Sequence, residues 1–303
     1  TRHIPTLSVG TFRRTRHNAQ GLMPDALSLN TECKNIRKHH SVYIYSYICT
    51  ISIKMESKIN QLLQALPKGV VVLASWLTKQ GYSHTLQQQY IQSGWLESIG
   101  QGAFKRSGDK VSISGALYAL QCQANKDIHI GGLSALAMQG YAHYVEMEQR
   151  ELILISSQGY KLPAWFTRYH WGQEYKHRQT NLLPANIAIS TDNSATFEVR
   201  ISSPARAMLE CLDMVPTQFD INEAWIIMEG LGSLQPRQVQ TLLEQCKSVK
   251  AKRLFLHFAE KANHSWFRHL KTENISLGKG KRSIIKGGVL IPKYQIIIPE
   301  TLA

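Results

Sequence analysis

Ser83-His-Thr-Leu-Gln-Gln-Gln-Tyr-Ile-Gln-Ser93 is the stretch that decides how the first part of this chain folds. Ser83 is a favoured N-cap residue and Gly94 follows as a stop signal, so the stretch predicts a short helix. Its apolar side comprises Leu86, Tyr90 and Ile91. Its opposite side is polar and carries no carboxylate, and it comprises His84, Thr85, Gln87, Gln88 and Gln92. We expect that polar side to face a partner.

Two shorter helices are predicted before this stretch, and a hairpin after it. The first helix ends at Pro67 and has apolar residues at helical spacing, Ile59, Leu62, Leu63 and Leu66. The second ends at Gly81 and carries Leu73, Trp76 and Leu77. The hairpin is formed by Trp95–Ile99 and Ala103–Arg106 around Gly100-Gln101-Gly102. This order predicts a winged helix-turn-helix over residues 55–124, which would place its third helix in the major groove of DNA.

Particular side chains of this domain are expected to contact DNA. They are Ser83, His84, Thr85, Gln87, Gln88, Lys105 and Arg106. A glutamine can pair with adenine through both ends of its amide, which discriminates by about 1–3 kcal/mol. We expect Gln87 and Gln88 to read bases in this way, and Lys105 and Arg106 to hold the wing on phosphates. The alternative for the glutamines is a solvated helix face.

Composition fits a folded protein with an anionic partner. The chain has 303 residues, of which 43% are apolar, and a net charge of +14. Its 5 cysteines are far apart and form no CxxC pair, which favours reduced thiols in the cytoplasm. No segment reaches the roughly 18 apolar residues of a membrane helix. We therefore expect a cytoplasmic protein with no membrane partner.

Residues 1–54 differ from the rest of the chain. They show neither helical nor strand periodicity, and they mix basic residues with a tyrosine-rich run. A regular pattern begins at Met55, so we expect residues 1–54 to be a non-native or poorly ordered leader with the natural start at Met55. The alternative is a basic arm that reaches along DNA.

Residues 125–303 predict a second domain of mixed α/β type, giving an α+β protein. The expected strands lie at 128–130, 152–155, 187–189, 197–201, 287–291 and 294–298. The expected helices lie at 133–139, 204–212, 222–229, 236–245 and 249–261. Ser203-Pro204 is expected to begin the second of these helices, with serine as N-cap and proline in its first turn.

The last third of the chain is strongly basic. We expect Lys279, Lys281 and Arg282 to form a surface for an acidic partner or a nucleic acid, and the alternative is a solvated face with extended lysines. Gly278-Lys-Gly-Lys281 does not match a phosphate-binding P-loop, because the glycine spacing is wrong and arginine follows the lysine.

Signatures of catalysis are missing from the sequence. It contains no nucleophile elbow, paired-carboxylate motif or dinucleotide fingerprint. His257, His264 and His269 lack the spacing of a metal site, so we expect histidines on helix surfaces. We therefore expect a protein that is not an enzyme and that needs neither metal nor cofactor.

The order of motifs from Met55 onwards resembles the AbiEi family, the antitoxins of type IV abortive-infection toxin–antitoxin systems. The motifs are Ser93–Glu97, Gly102–Arg106, Gly115–Gln121, Ile130–Tyr141, Ser203–Glu210, Leu256–Glu260, His264–Phe267 and Leu277–Arg282. The resemblance implies an N-terminal domain that represses its own operon by binding operator DNA. It also implies a C-terminal domain that neutralises a nucleotidyltransferase-like toxin, whether or not the two proteins bind directly.

Two other functions remain open from the residues alone. One is a stand-alone winged-helix regulator whose second domain senses a ligand or dimerises. The other is an enzyme that processes nucleic acid with a site in residues 125–303. A nucleotidyltransferase gene immediately downstream would favour the antitoxin.

Overall fold

The computed structural model describes residues 58–142 and 151–303. The leader predicted over residues 1–54 lies outside the described residues, as does the segment 143–150. From Glu56 to Ala303 the chain forms one compact unit. None of the helices in the described ranges combines the length and the apolar composition needed to cross a bilayer.

The first part of the unit has the predicted winged-helix architecture. Its elements are α1 (residues 58–65), β1 (Val71–Leu73), α2 (Ala74–Lys79), α3 (His84–Gln92), β2 (Leu96–Gly100), β3 (Ala103–Arg106) and α4 (Ile113–Tyr118). The three strands form an antiparallel sheet in the order β1-β3-β2. The helices cover this sheet with buried Ile59, Leu62, Leu77 and Tyr90. The sequence did not predict β1, because its three residues are too few to show alternation. Leu73, which was predicted in the second helix, is the last residue of this strand.

The second part is the predicted mixed α/β structure. Its first elements are β4 (Ile128–Ile130), α5 (Gly132–Met138), β5 (Leu152–Ser156), α6 (Ala164–Arg168), β6 (Tyr175–Gln179), β7 (Ile189–Asp192) and β8 (Val199–Ser202). The helices that follow are α7 (Pro204–Met214), α8 (Ile221–Gly230), α9 (Pro236–Gln245) and α10 (Val249–Lys261). Three strands come last, β9 (Arg282–Ser283), β10 (Val289–Ile291) and β11 (Ile296–Ile298).

Two sheets organise this part. The larger has the strand order β6-β5-β4-β8-β7, with parallel pairs β5–β6 and β4–β8 and antiparallel pairs β4–β5 and β7–β8. The smaller has the order β10-β11-β9. Helix α7 lies at the centre, since it packs against α5, α8, α9 and α10 and is buried along nearly its whole length.

The starts of α7 and β7 differ from expectation. Ser203 precedes α7 as predicted, but its side chain does not cap the helix, and its buried hydroxyl has no partner among the described residues. Strand β7 begins at Ile189, where the predicted strand over 187–189 ends. Ala188 has a positive φ of 53°, which is incompatible with a regular strand at that position.

A π-helical turn, Ala119–Gln123, joins the two parts through two buried glutamines. The Gln123 amide accepts from the N–H of Leu73 and donates to the carbonyl of Val71, both at 2.8 Å, so it completes the outer edge of β1. The Gln121 amide accepts from the N–H of Arg200 at 2.8 Å and donates to the carbonyl of Ile128 at 2.9 Å, which joins β8 to β4. The domain boundary between residues 124 and 125 stays a prediction.

Candidate nucleic-acid interface

Helix α3 presents a polar face that carries no charge. Ser83 caps the helix as predicted, because its Oγ accepts a hydrogen bond from the N–H of Leu86 at 3.3 Å. His84 is exposed in the first turn. The exposed residues that follow lie at i, i+3, i+4 and i+7 and so share one side of the helix, Thr85, Gln88, Gln89 and Gln92. We name these four residues the α3 polar face.

Gln87 does not belong to this face, so the expectation that it contacts DNA is wrong. Its side chain is 1% exposed and lies under α3. Its Nε2 lies 2.8 Å from the carbonyl oxygen of Tyr82, 3.1 Å from Oγ1 of Thr78 and 3.3 Å from the carbonyl oxygen of Ala74. The amide therefore fixes α3 to α2 and to the turn between them, which sets the direction of the helix.

Lys105 is also less available than predicted. Its Nζ lies 2.9 Å from Oε2 of Glu97 on β2 and donates to the carbonyl of Asp109 at 2.9 Å. Hydrogen bonds from Lys105, Ser107 and Gly108 lower the pKa of the Glu97 carboxyl to about 2. Glu97 of β2 therefore binds residues of β3 and of the turn that follows it. The Lys105 ammonium is already paired with this carboxylate of the same wing.

Arg106 has a structural role in the wing that the sequence did not indicate. Its Nη2 donates to the carbonyls of Leu63 and Leu66. These carbonyls belong to the C-terminal turn of α1, where the helix leaves its last acceptors without partners. Arg106 thus joins β3 to the end of α1, and the side chain is only partly exposed.

The three residues of the second predicted surface are accessible in the C-terminal part. Lys279 and Lys281 are exposed on the segment that leads into β9, and Arg282 is the exposed first residue of that strand. None of these three side chains has a carboxylate partner among the described residues. Beneath them lies Arg253 of α10, which is 2% exposed.

A buried polar network occupies the centre of the second part. Glu210 of α7 is 3% exposed and accepts from the Arg206 Nε at 2.9 Å, from the Gly132 N–H at 2.9 Å and from Ser202 Oγ. His129 Nε2 lies 3.3 Å from the same carboxylate. Burial acts to raise the pKa of Glu210, but His129, Arg206 and the Gly132 N–H outweigh it and lower the pKa to about 2.

This network has the form of a structural site. The cavity beside His129 has a volume of only about 10 Å³, too small for a substrate. The network also joins two segments of the AbiEi-like pattern, Ile130–Tyr141 and Ser203–Glu210, because Glu210 accepts from the Gly132 N–H. A Cβ on Gly131 would lie 2.6 Å from the Glu210 carboxylate. Glycine is therefore required where β4 ends against α7.

The histidines of the C-terminal part were expected on helix surfaces, and two of them lie in the core. His257 Nε2 lies 2.9 Å from the carbonyl oxygen of Leu302, and His264 Nε2 lies 2.7 Å from that of Met228. Each ring therefore supports the packing of a neighbouring segment. The described ranges contain no group of three or more residues placed to hold a metal ion.

Sequence reasoning did not single out two residues that belong to the candidate surfaces. Gln89 is exposed beside Gln88, but three consecutive glutamines do not show which of them faces inward. Arg253 looked like one member of a basic stretch. The burial of Arg253 has one signal in the sequence. Arg253 is followed directly on α10 by three apolar residues, Leu254, Phe255 and Leu256, so little of the helix surface near it is left for solvent.

Comparisons with known proteins agree with this architecture. Residues 55–147 match the family model for the N-terminal domain of the AbiEi antitoxin transcriptional regulator. Residues 149–299 match the model for the AbiEi antitoxin transcriptional regulator of type IV toxin–antitoxin systems. A comparison with curated proteins gives no significant match.

A solved structure supports the fold. The crystal structure of the RV2827C protein from Mycobacterium tuberculosis is similar with a TM-score of 0.50 and 14% sequence identity, over 80% of this chain and 91% of that one. That similarity concerns the fold alone. The two family models together match most of the chain, over residues 55–147 and 149–299, and the chain belongs to the AbiEi family of antitoxin transcriptional regulators of type IV toxin–antitoxin systems.

Proposed function

We propose that this protein represses its own toxin–antitoxin operon by placing α3 in the major groove of operator DNA. We also propose that residues 125–303 neutralise a cognate nucleotidyltransferase-like toxin. Membership of the family supports the two roles in general terms. The observation that carries the DNA-binding part is the α3 polar face, an exposed helix side with no carboxylate to repel phosphates.

The chemistry of this face suits base recognition. Gln88 and Gln89 each offer an amide that can donate and accept at an adenine edge. Ser83, His84 and Thr85 lie at the N-terminal end of α3, which is the end that contacts base edges in helix-turn-helix proteins. Gln87 contributes by holding α3 in place rather than by touching DNA.

The double variant Gln88→Ala with Gln89→Ala tests operator recognition. Loss of two amide contacts should reduce the ratio of operator affinity to random-duplex affinity by at least about tenfold, since each contact discriminates by about 1–3 kcal/mol. Affinity for the random duplex should change little. Fluorescence anisotropy with labelled duplexes from the upstream region of the operon measures both.

A matched control removes two glutamines of another helix. Gln61 and Gln64 are exposed on α1, so Gln61→Ala with Gln64→Ala makes the same chemical change away from α3. This control should keep the wild-type affinity ratio. An α3 variant that also kept it would contradict operator recognition by this face.

The same α3 variant separates repression from neutralisation in cells. Co-expressed with the toxin of its operon, the full-length double variant should restore growth as well as the wild type, because residues 125–303 are unchanged. It should fail to repress a reporter placed behind the operon promoter. Loss of growth rescue at wild-type protein levels would contradict the assignment of neutralisation to the C-terminal part.

A further inference from the structure

The segment Leu277–Arg282 is folded around a buried cation. The Arg253 guanidinium donates to the carbonyl of Leu277 at 2.9 Å, to that of Gly280 at 2.7 Å and to that of Gly278 at 3.2 Å. A fourth acceptor is the carbonyl of Gln295 at 2.9 Å. All four acceptors are neutral, so the positive charge of Arg253 is not cancelled by a carboxylate there.

These bonds determine where the backbone N–H groups of the segment point. In a trans peptide the carbonyl of one residue and the N–H of the next point in opposite directions. Because the carbonyls of Leu277, Gly278 and Gly280 face Arg253, the N–H groups of Gly278, Lys279 and Lys281 face away from it. None of these three N–H groups has an acceptor within the part of the chain that the structure describes.

Two glycines allow this arrangement. Gly278 has a φ of +63° and Gly280 a φ of +77°, a region that other residues rarely adopt. Left-handed residues within a short loop can turn successive N–H groups towards one side, which makes a concave site for an anion. The spacing Gly-Lys-Gly thus has a backbone role, although it does not form a P-loop.

The side chains add charge to the same segment. Lys279, Lys281 and Arg282 are exposed, and no carboxylate of the described residues pairs with them. Arg282 is also close enough to Arg253 to help lower the pKa of that guanidinium, after the larger effect of burial. Such a concentration of positive charge without counter-ions favours an anionic ligand.

We propose that the segment Leu277–Arg282 is a phosphate-binding loop that holds the backbone of a nucleic acid through its outward N–H groups and its three cations. This deepens the proposed function, because it gives the C-terminal part a contact with nucleic acid in addition to α3. The loop contacts phosphates and does not read bases. It therefore strengthens binding to all sequences alike.

The double variant Lys279→Ala with Lys281→Ala of the full chain tests this loop with a random DNA duplex. Affinity should fall by about tenfold at low salt, and the slope of log affinity against log salt should become shallower by about 2. The ratio of operator to random affinity should stay at the wild-type value. A random RNA duplex of the same length, measured in parallel, shows which backbone the loop prefers.

Lys161→Ala with Lys176→Ala is the matched control. Both lysines are exposed outside the loop, so this pair removes the same charge elsewhere. It should retain most of the wild-type affinity and the full salt slope. Equal losses for the two pairs would mean diffuse attraction and would overturn the proposal, as would no loss for the loop pair.

Gly280→Ala tests the backbone rather than the charge. An added Cβ would meet no atom within 4 Å, so the protein should fold, but alanine is strained at this φ. Affinity for both random duplexes should fall severalfold while the salt slope stays unchanged. Wild-type affinity would overturn the role of the N–H groups, and loss of toxin rescue with normal duplex binding would assign the loop to a protein partner.

This test and the test of α3 fail in different ways. If the proposal for α3 is wrong, the α3 variant keeps the wild-type ratio of operator affinity to random-duplex affinity. If the proposal for the loop is wrong, the loop variant keeps the wild-type affinity for the random duplex. Each proposal can therefore be rejected while the other stands.

Discussion

Single polar side chains in the interior decide much of this structure, and their positions could be predicted only in part. A helical pattern shows that Gln87 is polar, but it does not show whether an internal acceptor exists for it. The carbonyl of Tyr82, exposed by the turn before α3, is such an acceptor, and it draws Gln87 inwards. Among the described residues, Gln88 and Gln89 have no such acceptor, and they stay exposed. Sequence therefore identified helix α3 and its polar side but misassigned Gln87 to that side.

Glu210→Gln should destabilise the protein in a pH-dependent manner. Breaking a buried ion pair costs about 3–5 kcal/mol, because Arg206 would stay buried without its counter-ion. The folded-state pKa of Glu210 is about 2, against an ordinary value of 4.5. A lowered pKa adds stability that is complete above the ordinary pKa and is lost as the pH falls towards 2.

Urea unfolding of the wild type and the variant measures this effect. The difference in unfolding free energy should be largest at pH 7 and smaller at pH 3. Subtracting the unfolding free energy of the variant from that of the wild type removes the contributions of titratable groups that both proteins share. A difference that is equal at both pH values would contradict the ionised state of Glu210 in the fold.

Regular elements with caps and a clear apolar side were predictable, and short or edge elements were not. Helices α9 and α10 have the predicted bounds, since Pro236 begins one and Ser248 caps the other. Strand β6 was missed because it lies at the edge of its sheet and carries charged residues. The strands of the wing were predicted, but the intramolecular contacts of Lys105 and Arg106 were not. Sequence does not show, for example, that β3 lies beside the end of α1, where Arg106 finds its acceptors.

Arg106→Ala should weaken α1 without changing how binding depends on salt. Loss of its bonds to Leu63 and Leu66 should cost about 1 kcal/mol and make the last turn of α1 fray. Hydrogen exchange of amides near residue 66 should become faster. The salt slope of random-duplex binding should match that of the wild type, since the Arg106 guanidinium is engaged with the carbonyls of Leu63 and Leu66.

Lys68→Ala removes the same charge from an exposed side chain and should leave the exchange rates unchanged. A salt slope shallower by about 1 in Arg106→Ala, with unchanged exchange, would restore the original expectation for this arginine.

The winged part and the mixed α/β part pack together as one unit, which sequence alone did not indicate. Gly100 of the wing lies against Trp165 of α6, and Tyr118 contacts Phe197 with ring centroids 5.5 Å apart. Contacts between residues so distant in sequence leave no periodic signal. The C-terminal part therefore helps to hold the wing in position. A description of the protein as two independent domains does not include this contact.

Gly100→Ala should disturb this support. The added Cβ would lie 2.7 Å from the Cβ of Trp165, too close for either side to stay in place. Overpacking of this kind costs about 1–3 kcal/mol of unfolding free energy. Operator affinity should also fall, because the wing moves relative to α3.

Gly230→Ala at the end of α8 is the comparison, since its Cβ would meet no atom within 4 Å. Calorimetry measures the melting temperatures of both variants, and a binding assay measures their affinities for the operator. Equal melting temperatures for the two would contradict a tight contact between the wing and α6.

The side-chain amide of Gln123 at the edge of β1 has a consequence for the behaviour of the protein in concentrated solution. A strand edge with unsatisfied N–H and C=O groups invites a strand from a second molecule, which is a common route to aggregation. Gln123 occupies the N–H of Leu73 and the carbonyl of Val71 from within the same chain. One amide thus protects the β1 edge of the sheet in the winged part from self-association, at the point where the two parts of the protein join.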